Sequence, residues 1–271
     1  MDNISFIGGG NMAAAIIGGL IASGITPANI EVVEINPDAR AQLSARFGIT
    51  PRASLAEAIL HPLVVLAVKP QTLPDVAAML TSRLSTQLVI SIAAGVRLGD
   101  LSRWLGGYTR LVRTMPNTPA LVQAGITGLF APTAVDHAAR SQAEAVMRAV
   151  GGVVWVSEES QLDAVTAVSG SGPAYVFYAI EALETAARAQ GLAAATARQL
   201  ALQTFFGAAK LALESGEEPA LLRQRVTSKG GTTERGIAAL QSAGLEAAFT
   251  SAVEAANRRS AELGDELGRL A

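Results

Sequence analysis

The chain has 271 residues, half of them hydrophobic, enough to bury a sizeable core and to divide into two modest domains. A formal net charge of −2 supplies no basic field for nucleic acid or for an anionic membrane surface. Cysteine is absent, which excludes disulfides, thiolate catalysis and cysteine metal sites, and no metal site is expected.

The apolar opening from Ile4 to Ile25 holds six glycines and Asn11, and no basic residue precedes Arg40. That is the composition of neither a signal peptide nor a membrane helix. No later stretch is apolar enough to span a bilayer, so a cytoplasmic protein without membrane partners is expected. Ile4–Ile7 predicts a buried parallel strand that ends in glycines, and Met12–Ala22 a helix stopped by Gly24. Glu31–Ile35 and Pro37–Phe47 predict the next strand and helix. Further strands are expected at Val64–Val68, Leu88–Ile92, Leu111–Met115, Thr127–Phe130 and Gly152–Val156, with a helix over Asp136–Val150. Such alternation predicts an α/β, Rossmann-type doubly wound, mostly parallel sheet.

After about Glu158 the strands stop and alanine dominates. Helices are expected at Pro173–Gln190, Thr196–Ser215, Pro219–Val226, Glu234–Ser242 and Phe249–Leu270, with Gly191, Gly216 and Gly244 at their ends. The expected division is residues 1–158 for the sheet domain and 159–271 for an all-helical C-terminal domain. Ala-rich helices have few large groups to bury alone, which suits an interface between copies of the chain.

Gly8-Gly9-Gly10-Asn11-Met12-Ala13 follows a strand and opens a helix, in the G-x-G-x-x-A form that binds a dinucleotide. Gly8 makes the tight turn, Gly10 leaves room for the pyrophosphate, and Ala13 lets the helix pack on the sheet. Free amides and the positive helix end favour the phosphates, with Asn11 and Met12 in the first turn. Glu34 lies at the end of the second strand, where an acid accepts from a free ribose 2′-hydroxyl and repels a 2′-phosphate. NADH or NADPH is therefore the expected cofactor, with Glu34 leaning toward NADH and Arg40 able to swing toward a phosphate. Ala67-Val68-Lys69-Pro70 and Ser91-Ile92-Ala93-Ala94-Gly95 end two strands, where such sheets bind ligands. Lys69 reads equally well as a plain surface charge.

Val226-Thr227-Ser228-Lys229-Gly230-Gly231-Thr232-Thr233 separates two helices. The amides of Gly230, Gly231, Thr232 and Thr233, with the Ser228 hydroxyl, form a nest for a carboxylate. An ordinary glycine-rich connector with Thr233 as N-cap would use the same residues.

This segment, with Arg113-Thr114-Met115-Pro116-Asn117-Thr118-Pro119-Ala120 and Val168-Ser169-Gly170-Ser171-Gly172-Pro173-Ala174, resembles the pyrroline-5-carboxylate reductases. The Gly8–Ala13 turn and the Ala67–Pro70 strand end fit the same family, so the likeness runs from Ile4 to about Gly236. It implies reduction of L-1-pyrroline-5-carboxylate to L-proline, the last step of proline biosynthesis, with NADH or NADPH. It also implies a helical domain that dimerises by interlocking, and rings of dimers occur in the family. By position, Ser228, Gly231, Thr232 and Thr233 would hold the substrate carboxylate and ring nitrogen, with Ser228 and Thr233 closest to the chemistry. Ala94 and Asn117 would lie along the nicotinamide, and the Ser169–Pro173 turn would line the cleft between the domains. That turn is equally a plain helix start with Pro173 at its first position.

A protonated cyclic iminium needs little beyond orientation and hydride proximity, which suits a sequence with no obvious strong acid. His61 and His137, the two histidines, read as surface residues. The β-hydroxyacid dehydrogenases share the two-domain plan, but place a lysine four positions after a glycine-rich turn. Here that position, counted from Gly172, is Val176. A dinucleotide-binding sensor without turnover is the rival from another class, and it would not need the Ser228–Thr233 constellation.

Overall fold

The structure, a computed structural model, describes residues 3–270. By packing it divides into two compact units, residues 3–171 with 255–270 and residues 172–254. The strands end near Ser157, but the packing division falls at Ser171, because helix α6 (Gln161–Val165) lies on the sheet. Leu162 of α6 is fully buried, and a side chain on Gly128 of the sheet would run into Leu162 and Val165.

The first unit is built on a seven-stranded sheet in the order β2-β1-β3-β4-β5-β6-β7. The strands are β1 (Ile4–Ile7), β2 (Ile30–Val33), β3 (Leu63–Leu66), β4 (Leu88–Ser91), β5 (Leu111–Met115), β6 (Gly125–Phe130) and β7 (Gly151–Trp155). Strands β1, β3 and β4 are buried along their whole length, as a sheet covered on both faces requires. Ser5 is the polar member of β1. Its hydroxyl donates to the Ile59 carbonyl at 2.9 Å and accepts from the His61 amide at 2.9 Å, so its burial leaves nothing unpaired.

The pairings are parallel except β5 with β6. The connection from Pro116 to Ala124 is a short helical turn, shorter than the roughly a dozen residues a parallel crossover needs. The chain therefore reverses there. Helices α1 (Asn11–Ala22), α2 (Pro37–Phe47) and α5 (His137–Arg148) pack into one hydrophobic cluster through Ala13, Ile16, Ile17, Leu43, Ala143 and Met147. Helices α3 (Leu73–Leu80) and α4 (Leu98–Trp104) form the cluster on the other face. Helix α2 shows local coding at both ends. The Asn36 side chain accepts from the Asp38 and Ala39 amides, Pro37 takes the first position, and Gly48 closes the helix at φ +67°.

The second unit holds α7 (Gly172–Ala189), α8 (Ala194–Ser215), α9 (Pro219–Arg225), α10 (Thr232–Ser242) and the start of α11 (Leu245–Gly268). Within it only Ala197 and Ala201 reach full burial. Phe206 is 61% exposed and Leu213 84%, so this unit carries apolar surface of the kind that marks an interface. Thr233 is not the N-cap considered from the sequence: Gly231 caps α10 with extended backbone and Thr232 is its first residue. The Ser169–Pro173 segment is not a free turn either. Thr166–Gly170 forms a π-helical turn, a feature frequent at functional sites, and α7 follows at Gly172.

Candidate active site

The glycine turn stands at the carboxyl end of β1, where the strand order reverses between β2 and β3. In open α/β sheets that crevice is where ligands bind. The Gly8 amide donates to the Val33 carbonyl at 2.8 Å, and the Ala67 amide to the Ile7 carbonyl at 2.8 Å. Gly8 holds φ +101°, and a Cβ there would lie 2.6 Å from the Ala67 carbonyl oxygen. Glycine is thus required twice at one position. Gly10 differs: nothing lies within 4 Å of where its Cβ would stand. It caps α1, no side chain satisfies the helix start, and the first turn carries no acid. Asn11 is exposed, Met12 is half-buried against the hydrophobic cluster, and Ala13 is buried. An anion fits there, favoured by about 0.3–1 kcal/mol when exposed.

Glu34 is more than a strand-end charge. One carboxylate oxygen accepts from the Gly9 amide at 2.7 Å, the other from the Asn36 amide at 2.8 Å. The Arg40 guanidinium lies beside it, donating to the Glu34 and Ile35 carbonyls at 2.8 and 2.9 Å. A carboxylate brace on the turn had no signal in the sequence beyond the acid itself.

The neighbouring strand ends carry the remaining residues of the first unit. Ala67 and Val68 are half-buried beside Gly8, Lys69 is exposed, and Pro70 begins a short helical turn. Ala94 is exposed after β4, with Gly95 buried next to it at φ +77°. Asn117 is buried after β5. Its carbonyl oxygen accepts from the Ile126 amide at 2.9 Å and its amide donates to the Ser169 carbonyl at 3.0 Å. The side chain thereby ties the start of β6 to the π-helical turn.

In the second unit, Ser228–Thr233 forms a tight connection into α10. Gly230 has φ +75°, and the Gly231 amide donates to the Ser228 carbonyl at 3.0 Å. The Gly230 amide donates to a Glu234 carboxylate oxygen at 2.7 Å, a close variant of a capping box. Two of the four amides expected to face a carboxylate are therefore engaged within the loop. Thr232 and Thr233, at the start of α10 where no side chain accepts from them, are left to offer theirs. Glu234 escaped the sequence reasoning, although an acid three residues after a helix cap is its usual signal.

The charge network of Arg113 was also absent from the sequence reading. Arg113 is 4% exposed and meets Glu159 at 3.0 Å and Asp163 at 4.0 Å. Nothing in its apolar strand context foretold acids more than forty positions away.

An open glycine turn at the switch point of a doubly wound sheet defines a dinucleotide-binding protein of the Rossmann type. A family model described as NADP oxidoreductase, coenzyme F420-dependent, matches residues 3–95, and one described as pyrroline-5-carboxylate reductase dimerisation matches residues 159–263. The chain is 47% identical over 268 residues to the pyrroline-5-carboxylate reductase of Pseudomonas aeruginosa, covering 98% of each. It superposes on the solved pyrroline-5-carboxylate reductase of Coxiella burnetii with a TM-score of 0.91 at 46% identity, covering 97% of this chain and 98% of that one. The Plasmodium falciparum pyrroline carboxylate reductase, solved with NADP bound, gives a TM-score of 0.83 at 28% identity over 97% and 98% of the two chains. The chain belongs to the pyrroline-5-carboxylate reductase family.

Proposed function

We propose that this protein reduces L-1-pyrroline-5-carboxylate to L-proline, the last step of proline biosynthesis. The observation that carries this is the open cradle at Gly10, kept in a chain whose likeness to a pyrroline-5-carboxylate reductase extends over 98% of its length. The nicotinamide, when bound, supplies the hydride. The open space at Gly10 and the first-turn amides of Asn11 and Met12 receive the pyrophosphate on a turn that Gly8 and Ala13 shape, Glu34 receives the adenosine ribose, and Ala67 to Pro70, Ala94 and Asn117 flank the nicotinamide. Asn117 does this as a brace, because its side-chain oxygen and one amide hydrogen already have partners.

The Ser228 hydroxyl and the amides of Thr232 and Thr233 hold the substrate carboxylate, while Gly230 and Gly231 shape the loop. The Thr233 hydroxyl orients the ring nitrogen. Hydride adds to the carbon of the C=N bond, and the π electrons pass to the already protonated nitrogen, giving the secondary amine. No side chain has to surrender a proton in that step, so binding and orientation carry the catalysis.

Both NADH and NADPH serve, with Glu34 favouring NADH. Its bonded oxygens keep further lone pairs for a ribose hydroxyl, and its charge opposes a 2′-phosphate that Arg40 partly offsets. The helical part forms a homodimer, or a ring of dimers, working in the cytoplasm. Among the described residues no helix is long and apolar enough to cross a membrane.

Steady-state kinetics with both reduced cofactors against pyrroline-5-carboxylate test the proposal. Loss of nicotinamide absorbance on addition of the imine is expected. Cofactor binding with no turnover would leave a dinucleotide sensor and end the enzymatic assignment.

A further inference from the structure

The last turns of α11 close over the loop that follows β4. All these contacts lie within the first unit, to which residues 255–270 belong. Ser260, Gly264 and Leu267 are the buried residues of α11, spaced to share one helix face. The Leu267 side chain lies over Gly95, 2.9 Å from where a Cβ would stand. Arg97, two residues on, donates to the Asp265 carboxylate at 2.6 Å and to the Ala261 carbonyl at 3.1 Å. Gly264 permits this approach, since a Cβ there would come within 3.0 Å of the Arg97 guanidinium.

A second set of bonds holds the same loop from the sheet side. The Leu98 amide donates to Glu159 at 2.7 Å, and Glu159 pairs with buried Arg113 of β5. Arg113 also faces Asp163, which accepts from the Ser260 hydroxyl at 2.7 Å. One charge network therefore joins β5, the start of α4 and the face of α11. The loop between β4 and α4 is clamped on both sides, yet Ala94 at its tip is exposed.

We propose that the end of α11 is a latch that fixes the Ala94 loop against the nicotinamide, with Leu267, Asp265 and Ser260 as positioning residues. This rests on the placement of Ala94 beside the nicotinamide. Gly95 has no side chain of its own to hold the loop at φ +77°, and without a Cβ its backbone has other conformations to visit. Ala93 and Val96 anchor the flanks of the loop in the core, Leu267 of the same cluster covers Gly95, and the Arg97–Asp265 pair sets the register of the helix above it. Misplacing groups around a reacting centre by about 1 Å can cost about a hundredfold in rate, so a loosened loop reaches the chemistry without touching it.

Full-length Leu267→Ala and Leu267→Met proteins test the latch by titration of NADH and NADPH through nicotinamide fluorescence, by hydrogen exchange, and by kinetics. Leu267→Ala is expected to weaken cofactor binding about tenfold and to lower kcat, since ordering a loosened loop is charged against binding. Amides from Ile92 to Arg97 should exchange faster, those of β1 should not, and the KM for pyrroline-5-carboxylate should stay within about twofold. Leu267→Met, which refills the volume, should restore binding. Faster exchange with unchanged cofactor affinity would make the contact merely structural and overturn the proposal. If Leu267→Ala does not fold, Asp265→Ala gives the second test: about threefold weaker cofactor binding is expected, and unchanged binding overturns the latch. Ala94→Leu separates the two levels. Unchanged cofactor affinity in that variant removes the loop from the nicotinamide, and the latch with it. Weakened affinity there, with none in Leu267→Ala, removes the latch alone.

Discussion

The carboxylate of Glu34 accepts a hydrogen bond from the Gly9 amide at 2.7 Å, fastening the end of β2 to the middle of the glycine turn. The amide is thereby withdrawn from any phosphate at the turn, and a negative charge is fixed at the end of β2. The same carboxylate accepts from Asn36, whose own side chain caps α2. Turn, strand end and helix start are one bonded unit, so a change at Glu34 is expected to act on both cofactor affinity and cofactor choice.

Glu34→Gln keeps an acceptor oxygen and removes the charge. The ratio of kcat/KM for NADPH over NADH is expected to rise about tenfold, as loss of about 1.4 kcal/mol of repulsion would give. Glu34→Ala should also raise the KM for both cofactors by loosening Gly9. Kinetics with each cofactor check this; an unchanged ratio with raised KM values would leave Glu34 a brace and nothing more.

Gly10 and Gly8 should separate binding from folding. Gly10 has φ −67° and open space around its Cβ position. Gly10→Val should therefore abolish NADH and NADPH binding while costing about 0.5–1 kcal/mol of stability as a poorer N-cap. Gly8→Ala meets both positive φ and the Ala67 carbonyl, and should cost about 1–3 kcal/mol or more of stability. Denaturant melts with and without cofactor distinguish the two. A Gly10→Val protein that still binds cofactor would empty the cradle of its function.

In the Ser228–Thr233 loop, Thr233→Ala should lower kcat about tenfold through loss of one hydrogen bond to a charged substrate group. Glu234→Gln keeps an acceptor for the Gly230 amide and removes a negative charge beside the incoming carboxylate. The KM for pyrroline-5-carboxylate should fall by about two- to threefold, for a surface charge effect of up to about 1 kcal/mol. An unchanged kcat in Thr233→Ala takes that hydroxyl out of the chemistry.

Acid should weaken the fold through identifiable carboxylates. The Ala139 amide, then the Arg110 side chain, hold Asp136 below its ordinary value; Trp155 and Arg148 do so for Glu144, and Arg259 for Glu266. A depressed folded-state pKa adds stability that is present above the unfolded value of about 4 and lost as pH falls through the folded one. Urea midpoints measured from pH 7 to pH 3 should therefore drop chiefly below about pH 4.5. Asp136→Asn should flatten that decline, and an unaltered pH profile would discount the helix cap.

Local chemistry and period determined much of this protein. Four buried residues of β1 running into Gly8, the Asn36-Pro37 start and Gly48 stop of α2, and the glycines ending α7 and α8 are each specified within a few residues of chain. The glycine turn and the Ser228–Thr233 loop were legible for the same reason, since backbone conformation and free amides are local properties. Polar partnership is not. Whether Glu34 would also brace Gly9, whether Asn117 would be free, and whether Gly230 would offer its amide all turned on residues met only after folding. The antiparallel pairing of β5 with β6 depended on how far a short connection could reach. The chain from Arg113 through Asp163 to Ser260 spans more than a hundred positions. Hydrophobic period can say that such residues will be buried or exposed, but each carries one charge or hydroxyl and many possible partners, and only the packing of α6 and α11 on the sheet chose among them.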